Sequence, residues 1–455
     1  MHMAAHPPFV PPVPPPPATP LPVRAFLRAI RVNALTIWPE SAYRDDVAVR
    51  HFLGRVNVLL NAPDAIHHVL VENHANYRRS PASIRILRPI TGQGLLLSTG
   101  DAWRMQRRVV APALAPRVMP LLCRHIMRSA DEAMTALTPR ASTPVDMLAF
   151  MQTLALDIAG RSMFSLETQQ YGTAMRGLLN EFAERFAQPH LLDMLLPSSI
   201  PTPRDWRRAR FSRRWMHLIE TIMEHRAAGS GDPDNPRDLF DLLRNARDPE
   251  TDIGFTPEEL RDQVATLILA GHETTAVTLF WACVLLARSP DVQTWMAEEL
   301  AGVDLAEEGV QTRLVRVRAV VNETLRLFPA AFTIVRETIL PDRIGDLELP
   351  RHAVAMIAPW VLHRHRKFWT DPGAFMPARF MPDAPPPPRF AFMPFGAGPR
   401  ICVGAQFAMA EAMLVLASLV QRFEIDLDDP RPVLPRAVVT TQPDHAPLFR
   451  LTRRG

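Results

Sequence analysis

Apolar positions recur at three- and four-residue intervals along much of the chain, and Gly, Pro and Ser clusters divide that pattern into segments. The longest unbroken segment runs from Thr256 to Arg288. Thr256 can cap it, Pro257 suits a first helical position, and Glu259 completes a capping box. Apolar residues then run from Val264, Leu267 and Ile268 through Leu285 and Leu286, until Ser289-Pro290 stops the helix. About 32 residues would span roughly 48 Å. A helix apolar around most of its circumference belongs in the centre of a core. A second strong helical pattern runs from Ala405 to about Phe423. Short β-like stretches near Val47 to Leu60, Thr333 to Thr338, Ala353 to Ala358 and Leu448 to Leu451 complete a fold that is mainly α with a minor β part.

Residues 7 to 22 read PPFVPPVPPPPATPLP, which suits neither helix nor sheet interior and favours an extended, solvated backbone. The reading is a flexible or partly docked N-terminal tail over 1–22, followed by a single domain over 23–455. No repeat of fixed period is present. A second cluster, Pro385 to Pro388, breaks the chain just before its most informative stretch.

Composition narrows the partners. Net charge is +4, and Lys367 is the only lysine. No zinc-finger spacing, basic zipper or long basic run points to nucleic acid. Cys123, Cys283 and Cys402 include no C-x-x-C pair, which argues against a disulfide framework and fits a reducing compartment. No window reaches 18 consecutive apolar residues, so no membrane span is expected. The N-terminus also lacks the charged and apolar regions of a signal peptide. A soluble, cytoplasmic protein is the expectation.

The stretch Phe392-Met-Pro-Phe-Gly-Ala-Gly-Pro-Arg-Ile-Cys-Val-Gly404 places Cys402 on a Gly-rich turn that opens a helix. Free backbone N–H groups and the positive helix end favour a thiolate there. Gly396, Gly398 and Gly404 allow close approach of a flat, bulky group, and Arg400 offers a fork of donors to a carboxylate. On these grounds alone Cys402 is a small buried residue, a nucleophile with an unspecified base, or a haem ligand.

Phe395, Gly398, Arg400, Cys402 and Gly404 match F-x-x-G-x-R-x-C-x-G, five fixed positions in ten residues. The chain therefore resembles the cytochrome P-450 superfamily over essentially its whole length after the Pro-rich tail. The resemblance implies the cytochrome P-450 fold, with the long central helix over a haem b. It also implies an iron ligated by the Cys402 thiolate, O2 as co-substrate, and a monooxygenase of bacterial type, since relatives from eukaryotes usually carry an N-terminal membrane anchor.

Other motifs agree. Ala270-Gly-His-Glu-Thr-Thr275 falls midway along the long helix. Gly271 costs a helix interior about 1 kcal/mol relative to Ala, Thr274 can bond back to a carbonyl one turn earlier, and a buried Glu273 needs a partner or a proton. A solvated kink would account for this pattern. Within the resemblance it matches A-G-x-E-T-T, in which Ala270 lies against the haem while Thr274 and Glu273 deliver protons to bound oxygen. Trp103 and Arg107 resemble W-x-x-x-R and share a helix face, so both would reach a haem propionate. Arg336 and Arg400 would join Arg107 as propionate-binding cations. Glu323-Thr-Leu-Arg326 and Arg379 match the family's structural triad, with Ala378 where Glu is common.

Arg104, Arg108 and Arg389 form a basic cluster near the expected cysteine face, suited to an acidic ferredoxin or flavodoxin. No G-x-G-x-x-G occurs, so NAD(P)H electrons are expected through such a protein and its reductase. Substrate contacts implied by the family are Ile86, Leu87, Leu95, Ala270, Phe332, Thr333 and Thr440, mostly apolar, which suggests a small hydrophobic substrate. Two other readings are a peroxide-driven peroxygenase and a haem-based sensor. The pair Glu273–Thr274 argues against both.

Overall fold

The computed structural model describes residues 7–52, 54–140, 143–165, 171–188, 190, 192–193, 196, 200–228 and 235–454. Its organising element is the helix Pro257–Ala287. The Thr256 hydroxyl accepts from Glu259 N–H at 3.2 Å, and Glu259 Oε2 accepts from Thr256 N–H at 2.9 Å. These bonds satisfy two of the helix's orphan donors. From Val264 to Leu286 nearly every apolar side chain on it is buried. Helix Met147–Phe164 lies along it, and helices Met119–Leu137, Val315–Leu327 and Ala405–Arg422 close the bundle. Trp281 stacks on Phe328 with centroids 4.0 Å apart and planes 3° from parallel. By length and composition the helix could cross a membrane, but most of its apolar window is covered by protein.

A five-stranded sheet stands beside the bundle. The hairpin Val47–Phe52 and Arg55–Leu60 forms one edge. Val354–Ile357 runs parallel to Arg55–Leu60, Ile334–Thr338 follows antiparallel, and Tyr77–Arg79 closes the other edge. Its register sets Arg79 opposite Arg336, which decides the electrostatics of the site. A second apolar cluster, including Val58, Leu60, Ile66, Ile357 and Met393, packs around this sheet.

The Pro-rich segment is docked from residue 7 to 22; residues 1–6 of the expected tail lie outside the described residues. Proline lacks an N–H but keeps its carbonyl as an acceptor. Three backbone carbonyls, one of them a proline's, dock the segment: Phe9 O accepts from Phe375 N–H at 2.8 Å, Pro17 O from Glu40 N–H at 2.9 Å, and Leu21 O from Arg50 Nη2 at 2.6 Å. Phe9 and Val13 pack on the main core. The segment is thus a strap rather than a solvated tail.

Glu323 and Arg326 are fully buried on one face of helix Val315–Leu327. Arg326 Nε and Nη2 donate to the two Glu323 oxygens at 2.7 and 2.8 Å. Its remaining donors reach the carbonyls of His363, Pro372 and Ala374 at 2.7 to 2.9 Å. Glu323 Oε1 also accepts from Met376 N–H at 2.8 Å, and Arg379 Nε lies 3.5 Å from it. The pair therefore fixes the course of residues 363–379. Arg326→Ala would leave Glu323 buried and unpaired, which costs about 3–5 kcal/mol. A denaturant titration of the purified protein should show a loss of that size. A loss below about 1 kcal/mol, ordinary for a surface pair, would contradict this assignment.

Candidate functional site

The cysteine loop is tied at both ends. Met393 N–H donates to the buried His363 Nε2 at 2.9 Å, which anchors the loop's start to the segment held by Arg326. Cys402 N–H donates to Phe395 O at 3.0 Å and Ile401 N–H to Gly398 O at 3.0 Å, folding the loop on itself. Gly398 sits at φ +73°, and a Cβ there would fall 2.0 Å from Leu70 O. No other residue fits that approach. Gly404 caps helix Ala405–Arg422.

Cys402 and Arg79 both keep accessible surface, yet burial dominates the pKa of each. Burial pushes the Cys402 thiol up, while Gly404 N–H and the Arg107 guanidinium pull it down. Ala270 is exposed and Gly271 half-buried on a helix otherwise covered by protein, and a Cβ on Gly271 would meet nothing within 4 Å. An open stretch therefore lies halfway along the central helix.

Among the described residues, three guanidinium groups converge without a carboxylate partner. Burial, then Arg336 and Arg400, lower Arg79 to about 9. Burial, then Arg400, lower Arg336 to about 10. Burial also lowers Arg400, whose Nη1 and Nη2 share Ser98 O at 3.1 Å and whose guanidinium lies 4.4 Å from the Trp103 ring centroid. Arg79 Nε is buried without a partner. Cations brought together in this way call for an anion of at least two charges. A thiol, an open helix face, a Gly-rich loop and this cluster fit an iron porphyrin with two propionates.

The structure thus brings Arg336, Arg400 and Trp103 together. Arg107 Nη1 donates to Ile401 O at 2.9 Å and its charge acts on Cys402, so it braces the cysteine loop. Arg79 was missed in the sequence. Its signal is a strand arginine whose register with Arg336 no local pattern reveals. Phe395 packs on the core and gives its carbonyl to Cys402. Thr274 Oγ1 donates to Ala270 O at 2.7 Å. Glu273 is half-buried rather than sealed in, and it has partners: Oε1 accepts from Thr440 Oγ1 at 2.7 Å and Gln442 Nε2 at 3.0 Å.

The loop before Trp103 is clamped to the central helix. Gln93 N–H donates to Asp262 Oδ2 at 2.7 Å and Leu95 N–H to Gln263 Oε1 at 2.9 Å. Among the substrate candidates, Ile86, Leu95 and Phe332 are buried in the main core and Leu87 packs against it. Thr333 Oγ1 is buried without a partner. The expected basic cluster is largely neutralised. Arg108 holds Asp248 in a fork at 2.7 and 2.8 Å, Arg104 pairs with Asp101 while staying exposed, and Arg389 is exposed over the Phe390 ring.

The family model described as "Cytochrome P450" matches residues 15–448. Cyclooctatin synthase of Streptomyces melanosporofaciens is 31% identical, over 80% of this chain and 79% of its own. Cytokinin hydroxylase of Arabidopsis thaliana is 29% identical, over 78% and 70%. The crystal structure of the haem domain of a cytochrome P450DA mutant superposes with a TM-score of 0.81 at 21% identity, covering 97% of this chain and 98% of that one.

His363 makes the loop anchor pH-sensitive. Burial, then Arg326 and Arg364, depress it from 6.5 to about 3. Between those values the unfolded chain takes up a proton that the folded chain refuses, so stability falls as pH drops below 6.5. The loss should reach on the order of a few kcal/mol near pH 3. Unfolding titrations across that range should show a shallower slope for His363→Gln, which can accept from Met393 but does not titrate. An unchanged slope would contradict the assignment.

Proposed function

The chain belongs to the cytochrome P450 family, and on that premise we propose that Cys402 is the axial ligand of its haem iron, with Arg79, Arg336, Arg400 and Trp103 gripping the propionates. The enzyme is a haem-thiolate monooxygenase. When bound, the haem supplies activation of O2, one atom going into a C–H or C=C bond of the substrate and the other to water. The observation that carries the site assignment is the convergence of Arg79, Arg336 and Arg400, the last of them in the cysteine loop two residues before Cys402.

The remaining roles fall to the chain's own groups. Gly398 lets the loop lie against Leu70, and Gly404 N–H and Arg107 partly offset the burial that opposes the thiolate. Thr274 Oγ1 holds a proton beside the open stretch at Ala270, and Glu273 is the acid that replenishes it. Clamping the 92–97 loop to Asp262 and Gln263 limits the entry of water. The substrate is a small hydrophobic molecule, supported by the apolar set Ile86, Leu87, Leu95 and Phe332. Electrons from NAD(P)H arrive through a ferredoxin or flavodoxin and its reductase. What supports a protein donor is that Pro399, Ile401 and Gln406 leave the cysteine loop exposed at the surface. A cytoplasmic setting is supported by the free state of Cys123, Cys283 and Cys402.

Incubation with a ferredoxin, its reductase, NADH, labelled O2 and a panel of apolar compounds should place one labelled oxygen atom in the product. Equal turnover with hydrogen peroxide alone would favour a peroxygenase instead. Thr274→Ala should lower product formed per O2 consumed on the order of tenfold, with the difference released as peroxide. Unchanged coupling would remove Thr274 from proton delivery.

A further inference from the structure

Two residues near the C-terminus hold the acid beside Thr274. Thr440 lies in the bend just before the short strand, Gln442 N–H donates back to Thr440 O at 3.1 Å, and both side chains reach Glu273 Oε1, at 2.7 and 3.0 Å. Gln442 Nε2 also donates to Thr440 Oγ1 at 3.1 Å. That donation fills an acceptor site on the hydroxyl and turns its own proton toward Glu273. Thr441, between them, points the opposite way: its hydroxyl donates to Pro329 O at 2.6 Å and its N–H to Ala330 O at 3.2 Å. Its carbonyl accepts from the Trp281 indole at 2.7 Å.

The short strand Thr441–Pro443 is therefore pegged to the central helix at Trp281 and, about two turns earlier, at Glu273. Thr440 is buried and Gln442 half-buried. Both donors converge on one oxygen of the carboxyl, which leaves Oε2 to carry a proton.

We propose that Thr440 and Gln442 are positioning residues for Glu273: they lock its Oε1 so that Oε2 serves as the proton-carrying oxygen next to Thr274. This rests on the reading of Glu273 as the proton-delivering acid. Thr440, named above for substrate contact, acts through Glu273 instead. Loss of the clamp frees the carboxyl to turn away, so proton delivery slows while the binding of substrate and haem is retained.

The test uses the haem-loaded enzyme with a ferredoxin, its reductase and NADH, without substrate, and reads the peroxide released per O2 consumed. Thr440→Val and Gln442→Leu should each raise that fraction several-fold, toward the value for Glu273→Gln, and Thr440→Ser should restore it. Variants enter the comparison after their reduced–carbon monoxide spectra match that of the parent enzyme, and the half-buried Gln442 site keeps the test alive if Thr440→Val does not fold. Crystals of Thr440→Val should show the Glu273 carboxyl turned away from the strand. A parental peroxide fraction in both variants, with Glu273→Gln still raised, overturns the clamp and leaves the acid role standing. A parental fraction in Glu273→Gln itself overturns both. A Glu273 carboxyl unmoved in the Thr440→Val crystals also overturns the clamp.

Discussion

The buried pair Glu323–Arg326 is the constraint on which the cysteine side of the molecule depends. Both side chains are fully buried, and charges without water are tolerated only when every polar atom finds a partner. Arg326 meets that demand with the two oxygens of Glu323, one turn away on its own helix, and with three backbone carbonyls drawn from residues 363–374. Satisfying one guanidinium thus dictates the path of a long irregular segment. His363, on that path, accepts from Met393, and the cysteine loop begins there. The chain of dependence runs from a helix face to an irregular loop to the position of a single sulfur.

The opposite electrostatic situation prevails around Arg79, Arg336 and Arg400. Here the charges are buried together with no partner of opposite sign, and their lowered pKa values express that cost. Folding energy from the sheet and bundle must hold them in place until a dianionic group arrives. Such strain at a functional site is the mark of a pocket built for a ligand rather than for its own stability.

Much of this was legible in the sequence because it is local. The long helix announced itself through its capping box and apolar surface, and its observed ends, Pro257 and Ala287, lie within a residue of those read from the pattern. The cysteine turn and the helix after it were legible for the same reason. What escaped depends on contacts between distant segments. Arg79 joins the cation cluster only through strand register, and Thr440 and Gln442 reach Glu273 only because Trp281 and Pro329 fix a strand near the C-terminus. The Pro-rich segment reads as a flexible or partly docked tail, and the distant partners that dock it through the carbonyls of Phe9, Pro17 and Leu21 are not legible locally. The pairing of Arg108 escaped for a similar reason, since the Asp248 that occupies it lies 140 residues away.

The most direct test of the account is the absorption spectrum of the dithionite-reduced protein with carbon monoxide, minus that of the reduced protein alone. Ligation of the iron by the Cys402 thiolate predicts a strongly red-shifted Soret band in the parent protein and its disappearance in Cys402→Ser. A haem-loaded parent protein lacking that band, or a Cys402→Ser variant retaining it, would contradict the assignment.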